Sequence, residues 1–422
     1  MSMVSFLSLF LVFIFFSLEG KFVFFVSGMM LLSALYSENL LSFGFFMDFQ
    51  SYLMCLLTLL ISSILSLTFK EELKMHINYI MCFLIVTFFF TDSVTIFFVC
   101  FELSLIPLLV LVICWGQQAE RLKAGRFMMM YTIIFSSPFL LFLIFSSKGS
   151  IFLLGFSKPL DMSLFVFSLF AFLVKIPVFF FHSWLPKAHV EAPLEGSMLL
   201  AGLMLKVGVY GFIRIFYFVS LSGIVIELMF SISFVGAMIS GLMSLSSDDM
   251  KMSVALSSVS HMNFVFSALL TLKSSALGAV LIVLLAHGLS SPMLFYLVTK
   301  IYLSSHSRSL LISKGVLSKI PFYSFMSFLL WSMNLAVPPF FPFLGEVLSI
   351  VAILSFFIWG VSVVILFFII NSFFSMLNYG IVSHSSFKLL SKIHMSDFYF
   401  YMCSFVSLTI LFMLFFFYEV LA

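Results

Sequence analysis

The fold of this chain is decided by residues 163–186, which read SLFVFSLFAFLVKIPVFFFHSWLP. The stretch is long enough to cross a bilayer, which takes about 20 mostly apolar residues. Its interior nevertheless carries Lys175, followed by Pro177, a residue type that removes a helix hydrogen bond. His182 lies seven residues after Lys175, about two helical turns further along the same face. We therefore predict a transmembrane helix that is interrupted beside an intramembrane lysine.

The whole chain has the composition of a polytopic membrane protein. Of its 422 residues, 63% are hydrophobic and 9% are charged, whereas soluble domains are about half apolar and about a quarter charged. The mean hydropathy is +1.26. The net charge of +3 is too small for a protein that binds nucleic acid. These values exclude a large soluble enzyme, a disordered chain and a nucleic-acid partner.

Apolar segments recur along the entire sequence. Cutting at charged residues and at stretches rich in Gly, Pro or Ser gives about fourteen segments of spanning length. Backbone groups in lipid must pair within their own segment, and the alternation typical of barrel strands is absent, so helices are predicted. The fold class is all-α and polytopic. The segments begin near residues 3, 22, 49, 76, 93, 124, 161, 196, 221, 253, 276, 319, 357 and 397.

Positive charge is distributed unevenly between the two sets of loops. Fourteen of the 20 lysines and arginines, including Lys251, fall in odd-numbered loops, and two more, Lys175 and Lys206, lie inside apolar segments. The other loops hold only Lys148, Lys158, Arg214 and Lys273. Because the cytoplasm-like face collects Lys and Arg, we expect the odd loops on the matrix or cytoplasmic face and both termini on the opposite face.

Charged residues inside the predicted spans are candidates for function. A charge at the centre of a bilayer costs about 2.5–3.5 kcal/mol or more, so it is by default a functional hypothesis. Glu102 lies midway along VTIFFVCFELSLIPLLVLVICWG, and Lys206 lies within GSMLLAGLMLKVGVYGFIRIF, whose glycines permit close helix approach. A lysine and a glutamate in a dry bundle form a proton site, because burial disfavours the ammonium and a nearby carboxylate favours it. A structural ion pair is the alternative for Glu102.

Two histidines and a second glutamate extend this set. His261 lies in SSVSHMNFVFSALL and His287 in VLLAHGLSSPMLFYL. Histidine passes protons through either ring nitrogen, although a buried histidine is also a common structural residue. Glu346 ends VPPFFPFLGE, whose prolines must interrupt a helix, and interrupted helices at membrane depth line cavities or pack inside protein. We expect serines flanking the histidines, such as Ser260 and Ser290, to fill the gaps between these groups.

The two predicted broken spans, seven and twelve, lie five helices apart. Because five is odd, two units that each contain one broken span would be inverted relative to each other, as is common in transporters. The direct similarity between residues 76–217 and 221–382 is too weak to prove a repeat. The spacing suggests two inverted repeats without establishing them.

Six segments occur in a characteristic order. They are FELSLIPLLVLVICWG, QQAERLKAGRFMMMYTIIFSSP, KIPVFFFHSWLPKAHVEAPLEGSMLLAGLMLKVGVYGFIRI, SVSHMNF, AHGLSSPMLF and PPFFPFLGE. Together they resemble the chain 4 family of NADH–ubiquinone oxidoreductase, respiratory complex I, over residues 90–385. The segment HSWLPKAHVEAP distinguishes this family from the sister antiporter-like chains 2 and 5. One departure is Gln117–Gln118–Ala119, where a proline usually precedes the Glu-Arg pair, and it affects a loop.

This resemblance implies an antiporter-like fold of about 14 transmembrane helices, with two inverted five-helix repeats and broken helices 7 and 12. Helices 1–3 would occupy residues 1–75. The first repeat, helices 4–8, would occupy residues 76–219, and the second, helices 9–13, residues 220–382. Helix 14 would occupy residues 383–422.

The resemblance also implies a proton relay near the middle of the membrane. Glu102 would be the charge partner of Lys175, in direct contact or through one water, and Glu346 would lie toward the next subunit or the exit. Lys206 and the histidines would connect the two ends. The implied relay residues are Glu102, Lys175, His182, Lys206, His261, His287 and Glu346.

The implied function is that of a core membrane-arm subunit of complex I, which pumps protons while electrons pass from NADH to ubiquinone elsewhere. It would lie in the mitochondrial inner membrane, with both termini in the intermembrane space. NADH, FMN, iron–sulfur clusters and ubiquinone would be bound by other subunits. The five cysteines here are scattered without CxxC spacing, and no GxGxxG follows a strand. Chains 2 and 5 would flank it, and membrane lipids, cardiolipin among them, would contact it.

Two other functions compete with this one. A chain of an Mrp-type cation/proton antiporter would share Glu102 and Lys175, but the HSWLPKAHVEAP segment and the organellar composition, with 62 Phe and 27 Met, favour complex I. A structural membrane scaffold would leave seven buried titratable groups unexplained. Copurification with a large NADH-oxidising assembly would discriminate among the three.

The charge asymmetry makes a testable prediction about topology. The loop around Arg121–Arg126 and the loop at Lys388–Lys392 should both lie on the matrix face. Membrane-impermeant labelling of a cysteine placed in each loop should therefore modify both from the same side. Labelling of the two loops from opposite sides would overturn the span count.

Overall fold

A computed structural model of the chain describes residues 48–68, 71–116, 118–145, 162–216, 223–310, 312–384 and 398–416. Within these residues the regular secondary structure is helical, and β-pairing is limited to isolated bridges such as the one between Asp249 and Ser309. The all-α fold class predicted from the sequence is therefore confirmed. The chain divides into two compact units.

The first unit runs from Met1 to Leu111 and also takes in Leu143–Pro159. Its described helices are α1 (Phe49–Thr68), α2 (Glu72–Phe90), α3 (Val94–Leu103) and the first part of α4 (Leu105–Trp115). A buried asparagine joins α2 to α1, because Asn78 Nδ2 donates to the carbonyl of Ser62 at 3.1 Å. Stacked rings of Phe88 and Phe97, 4.3 Å apart, join α2 to α3.

The second unit comprises Val112–Phe142 and Leu160–Ala422. It begins with the end of α4 and most of α5 (Arg121–Phe145). Its helices then follow in chain order. They are α6 (Met162–Lys175), α7 (Trp184–Glu191), α8 (Leu194–Leu199), a π-helical turn (Leu200–Met204), α9 (Leu205–Phe216), α10 (Gly223–Ser246), α11 (Met250–Leu269), α12 (Ser274–Ser305), α13 (Val316–Lys319), α14 (Pro321–Asn334), α15 (Pro342–Phe356), a 3₁₀ turn (Ile358–Gly360), α16 (Val361–His384) and α17 (Phe398–Phe416).

Three spans form the centre of the second unit. The spans Leu194–Phe216, Met250–Leu269 and Ser274–Ser305 are each 94% buried over their apolar windows, whereas Gly223–Ser246 is 33% buried. A span that is apolar all round and buried all round belongs to the core of a bundle. Lys206, His261 and His287 lie on these three central spans.

Both predicted helix breaks are present. α6 ends at Lys175 and α7 begins at Trp184, so Pro177 lies in non-helical backbone. α14 ends at Asn334 and α15 begins at Pro342, four residues before Glu346. The breaks predicted beside an intramembrane lysine and an intramembrane glutamate are confirmed.

The predicted spans agree with the described helices wherever they can be compared. Among the described residues, ten helices are long and apolar enough to cross a membrane, and the two broken pairs α6–α7 and α14–α15 occupy predicted spans seven and twelve. The predicted spans near residues 3 and 22, and the loop at residues 385–397, lie outside the described residues. The total of fourteen spans and the bounds of the four domains therefore stay predictions.

A glycine beside Glu346 permits the close packing of α15 on α12. A Cβ atom at Gly345 would lie 2.5 Å from Cγ2 of Val283 and 2.9 Å from Cγ2 of Ile282. It would also lie 3.2 Å from the backbone nitrogen of Val283, which cannot move without distorting α12. Only glycine fits at this crossing, and the crossing fixes where Glu346 enters the bundle.

Replacing this glycine should destabilise the protein. Gly345→Ala forces α15 away from α12, and overpacking of this kind costs about 1–3 kcal/mol. The matched control is Gly278→Ala on α12, where an added Cβ has no neighbour within 4 Å, so the helix gains up to about 1 kcal/mol of propensity. Thermal unfolding of the purified protein should be lowered only by the first substitution, and equal midpoints would contradict the packing account.

Candidate functional site

Lys206 begins a chain of buried polar contacts. It lies in α9 with no exposed surface, and its Nζ is 3.0 Å from Nδ1 of His287 on α12. The ammonium also donates to the carbonyl of Ala201, which lies in the π-helical turn just before α9. Turns of this kind inside helices are frequent at functional sites. Here the turn supplies the lysine with a second partner.

The chain of contacts continues from His287 to Glu346. The ring of His287 lies 6.0 Å, centroid to centroid, from that of His261 on α11. Nδ1 of His261 is in turn 3.5 Å from Oε1 of Glu346 on α15. His261, His287 and Glu346 are each at most 6% exposed. The structure therefore brings together four of the seven residues selected from the sequence, and each comes from a different helix.

The arrangement has a definite electrostatic order. A lysine lies at one end, a glutamate lies at the other, and two imidazole rings lie between them. Each ring can accept a proton on one nitrogen and release it from the other. Nε2 of His287 has no hydrogen-bond partner among the described residues. A single water between the rings would complete a continuous hydrogen-bonded path.

Lys175 is held next to the helix that carries Lys206. It is 2% exposed and ends α6. A Cβ at Gly208 would lie 3.0 Å from both the carbonyl carbon and the Cβ of Lys175, so only glycine allows this contact. Gly208 follows Lys206 by two residues in α9. The close helix approach expected at this glycine is thus observed, and it brings the backbone of Lys175 against the helix of Lys206.

Two selected residues lie apart from this chain of contacts. Glu102 lies in α3, within the first unit, and is half-buried, so its contact with Lys175 stays a prediction. His182 is half-buried in the α6–α7 break and stacks on Phe179 with ring centroids 5.0 Å apart. No described hydrogen bond joins His182 to the four central residues.

The break after Lys175 is closed by side chains. The indole Nε1 of Trp184 donates to the carbonyl of Val174 at 3.1 Å. Asn263 of α11 accepts from the backbone N–H of Phe179 at 3.2 Å and donates to the carbonyl of Pro177 at 3.1 Å. These contacts matter because buried backbone groups without a hydrogen-bond partner are strongly disfavoured. Asn263 and Trp184 supply those partners.

The serines near the histidines form hydrogen bonds within their own helices. Ser257, Ser258 and Ser260 each donate to the carbonyl three residues earlier in α11, and Ser291 donates to the carbonyl of His287. Their hydroxyl protons are used within their own helices, as is usual for serine inside a helix. The expectation that these serines fill the gaps between the relay residues stays a prediction, because their oxygens remain available as acceptors.

Two buried basic residues were missed by the sequence analysis. Lys251, assigned to a loop, is 3% exposed in the first turn of α11, and its Nζ donates to the carbonyl of Ala192 at 2.9 Å. His189 is fully buried on α7 and stacks on Phe295 at 4.4 Å, and neither ring nitrogen has a hydrogen-bond partner among the described residues. Lys251 was missed because it lies two residues before the predicted start of its span.

A polar cluster ties the end of α7 to two other segments. Arg308 Nη1 donates to the carbonyl of Val190 at 2.8 Å. In the amide orientation that satisfies both partners, Gln118 donates to Glu191 at 2.6 Å and accepts from Arg308 at 2.7 Å. Gln118 belongs to the stretch noted as a departure from the chain 4 pattern. It therefore has a structural role in fixing the segment that follows the break.

The family of the chain follows from a comparison with known proteins. The family described as NADH:quinone oxidoreductase/Mrp antiporter, TM matches residues 91–375, which contain all seven selected residues. The chain belongs to this family of membrane proteins.

Individual relatives show which members of this family the chain is similar to. NADH-ubiquinone oxidoreductase chain 4 of Locusta migratoria is 39% identical over 355 residues, covering 81% of this chain and 79% of the relative. The protein of that name from Ceratitis capitata is 38% identical over 329 residues, covering 74% and 73%. The resemblance to chain 4 inferred from the sequence motifs is therefore confirmed.

Solved structures share the fold. A chain of respiratory complex I from Thermus thermophilus superposes with a TM-score of 0.83 at 20% identity, covering 97% of this chain and 94% of that one. A chain of the Mrp complex from Dietzia superposes with a TM-score of 0.80 at 15% identity, covering 100% and 96%. At these identities the likeness concerns the fold alone, and it confirms that the fold is antiporter-like.

Proposed function

We propose that this chain is a proton-translocating membrane-arm subunit of NADH:ubiquinone oxidoreductase, complex I. The observation that carries the proposal is the chain of contacts from Lys206 through His287 and His261 to Glu346. Four titratable side chains on four helices meet inside an apolar bundle, where each one alone would be strongly disfavoured. The relatives named as chain 4 support the assignment to complex I.

The geometry defines how a proton would move. The ammonium of Lys206 donates toward Nδ1 of His287, so a proton can pass to that ring when its Nδ1 is unprotonated. The imidazolium then releases a proton from Nε2, and one water would carry that proton to His261. His261 in turn lies within reach of the carboxylate of Glu346. With one water between the two rings, every transfer in this path would occur within hydrogen-bond range.

The direction of transfer depends on charges at the two ends. We propose that Glu102 pairs with Lys175, and that this pair controls whether Lys206 holds its proton. A positive charge on Lys175 disfavours a second charge on Lys206, because like charges in a low-dielectric interior repel strongly. The close contact between Gly208 and the backbone of Lys175 supports this coupling. His182, at the break itself, would take part in delivering protons to Lys175.

The same proposal places the redox chemistry in other subunits. We propose that NADH, FMN, the iron–sulfur clusters and ubiquinone are bound elsewhere in the complex, which is supported by five cysteines that lie scattered in sequence. Chains 2 and 5 would lie on either side, in the mitochondrial inner membrane, with both termini in the intermembrane space. The repeats would comprise residues 76–219 and 220–382.

A groove on the second unit supports the proposed contact with cardiolipin. It has a volume of about 770 Å³ and a wall that includes Met130, Ile134 and Phe180. Lys123 and Arg126 line the same groove and match the charge of an anionic phosphate headgroup. A structure of the assembled complex in which another protein subunit fills this groove would contradict the lipid assignment.

An Mrp-type antiporter remains the second candidate, because the fold likeness to the Mrp complex is nearly as high. The two functions differ in what drives transport. A complex I subunit moves protons only while NADH is oxidised, whereas an antiporter exchanges a cation for protons without electron transfer. The names of the relatives favour the first.

Neutralising the buried lysine should separate pumping from electron transfer. Lys206→Met in the assembled complex removes the donor to His287 and interrupts the path, so proton translocation per NADH oxidised should fall strongly. Lys273→Met is the matched control, because Lys273 is exposed just before α12. Proton uptake in reconstituted vesicles, with NADH oxidation followed in parallel, gives the ratio. An unchanged ratio for Lys206→Met would refute the proposed path.

A further inference from the structure

Asn263 occupies an unusual position between the two halves of the proposed path. Its side chain is fully buried on α11, two residues after His261. Each residue of a helix is rotated by about 100° from the one before it. Residues two positions apart are therefore rotated by about 200°, and their side chains point to nearly opposite faces. His261 faces Glu346, while Asn263 faces the break that follows Lys175. One helix thus contacts both regions.

The amide of Asn263 replaces contacts that the broken helix has lost. Oδ1 accepts from the N–H of Phe179 at 3.2 Å, and Nδ2 donates to the carbonyl of Pro177 at 3.1 Å and to that of Val259 at 2.8 Å. All the polar atoms of this amide therefore have partners. Two of those partners lie within four residues of Lys175, so the amide fixes the direction in which the backbone leaves α6.

Packing of α10 restricts the break on the other side. A Cβ at Gly236 of α10 would collide with Cβ of Phe179, so the backbone of α10 lies directly against this residue. Phe180, the next residue, has φ of 80°, a left-handed conformation that side-chain-bearing residues rarely adopt. Such a conformation persists only where its surroundings enforce it. Gly236 and the amide of Asn263 are the surroundings that enforce it here.

We infer that Asn263 is a positioning residue for Lys175: its amide holds the α6–α7 break so that Lys175 stays against Gly208 and in register with Lys206. This inference rests on the proposed proton path. It assigns to α11 a mechanical role besides carrying His261, because a shift of α11 would move the break and the His261–Glu346 contact together. A buried asparagine that served only folding would stabilise the protein without affecting proton transfer.

The test compares two buried asparagines in the assembled complex. Asn263→Leu removes the amide but keeps the number and branching of the side-chain heavy atoms, and Asn263→Asp keeps the acceptor for Phe179 but loses the donor to Pro177. Asn78→Leu is the matched control, since Asn78 is also fully buried and also donates to a backbone carbonyl of another helix, within the first unit. Two quantities are measured: amide hydrogen exchange in the peptide covering residues 176–183, and protons translocated per NADH oxidised.

The inference makes different predictions for the variants. In Asn263→Leu, exchange at residues 176–183 should accelerate roughly tenfold, the size expected when a buried hydrogen bond is lost, and the pumping ratio should fall. Asn263→Asp sets a carboxylate oxygen against the carbonyl of Pro177, so both quantities should change at least as much as in Asn263→Leu. Asn78→Leu should leave both quantities at their wild-type values.

Several outcomes would overturn the inference. Unchanged exchange in Asn263→Leu would show that the amide does not hold the break, and faster exchange with an unchanged pumping ratio would show that the break does not position Lys175. Failure of both Asn263 variants to assemble, with Asn78→Leu assembled, would assign Asn263 to folding alone. A Lys206→Met complex measured alongside separates the two proposals: if it pumps normally, the proton path itself fails, and if it alone loses pumping, only the role of Asn263 fails.

Discussion

A charged or titratable side chain inside a membrane must find a partner, and this constraint organises the second unit. Lys206 has no exposed surface, and its ammonium is met by the carbonyl of Ala201 and the ring of His287. Glu346 is met by His261. An unpartnered buried ion would be disfavoured by several kcal/mol. The helices that carry these residues therefore have to converge, and three of the four spans are the most buried of the described chain.

The two breaks follow from the same constraint applied to the backbone. Proline stops the helix after Lys175 and before Glu346, and each interruption exposes N–H and C=O groups that lipid cannot satisfy. At the first break, Trp184 and Asn263 take up those groups. The break is therefore an ordered element. It places Lys175 at the end of α6, where the groups around the lysine can respond to the charge of its ammonium. This is the physical link between the fold and the proposed transport.

Some of this could be predicted from the sequence and some could not. The spans, both breaks and the candidate residues could be predicted because each follows from a local feature of the sequence. These features are a run of apolar side chains, a proline, or a charge within such a run. Asn263 and the π-helical turn at Leu200–Met204 could not be found this way. An asparagine among apolar residues has many possible partners, and only the packing of α11 against the break selects the backbone of Pro177 and Phe179.

The most direct test of the central claim is a density map of the assembled complex at a resolution that shows ordered water. The account predicts a water within hydrogen-bond distance of Nε2 of His287 that also contacts His261, across the 6.0 Å between their rings. A map in which that space is dry and filled by apolar side chains, in every state of the complex that can be resolved, would contradict the claim that Lys206 and Glu346 belong to one proton path.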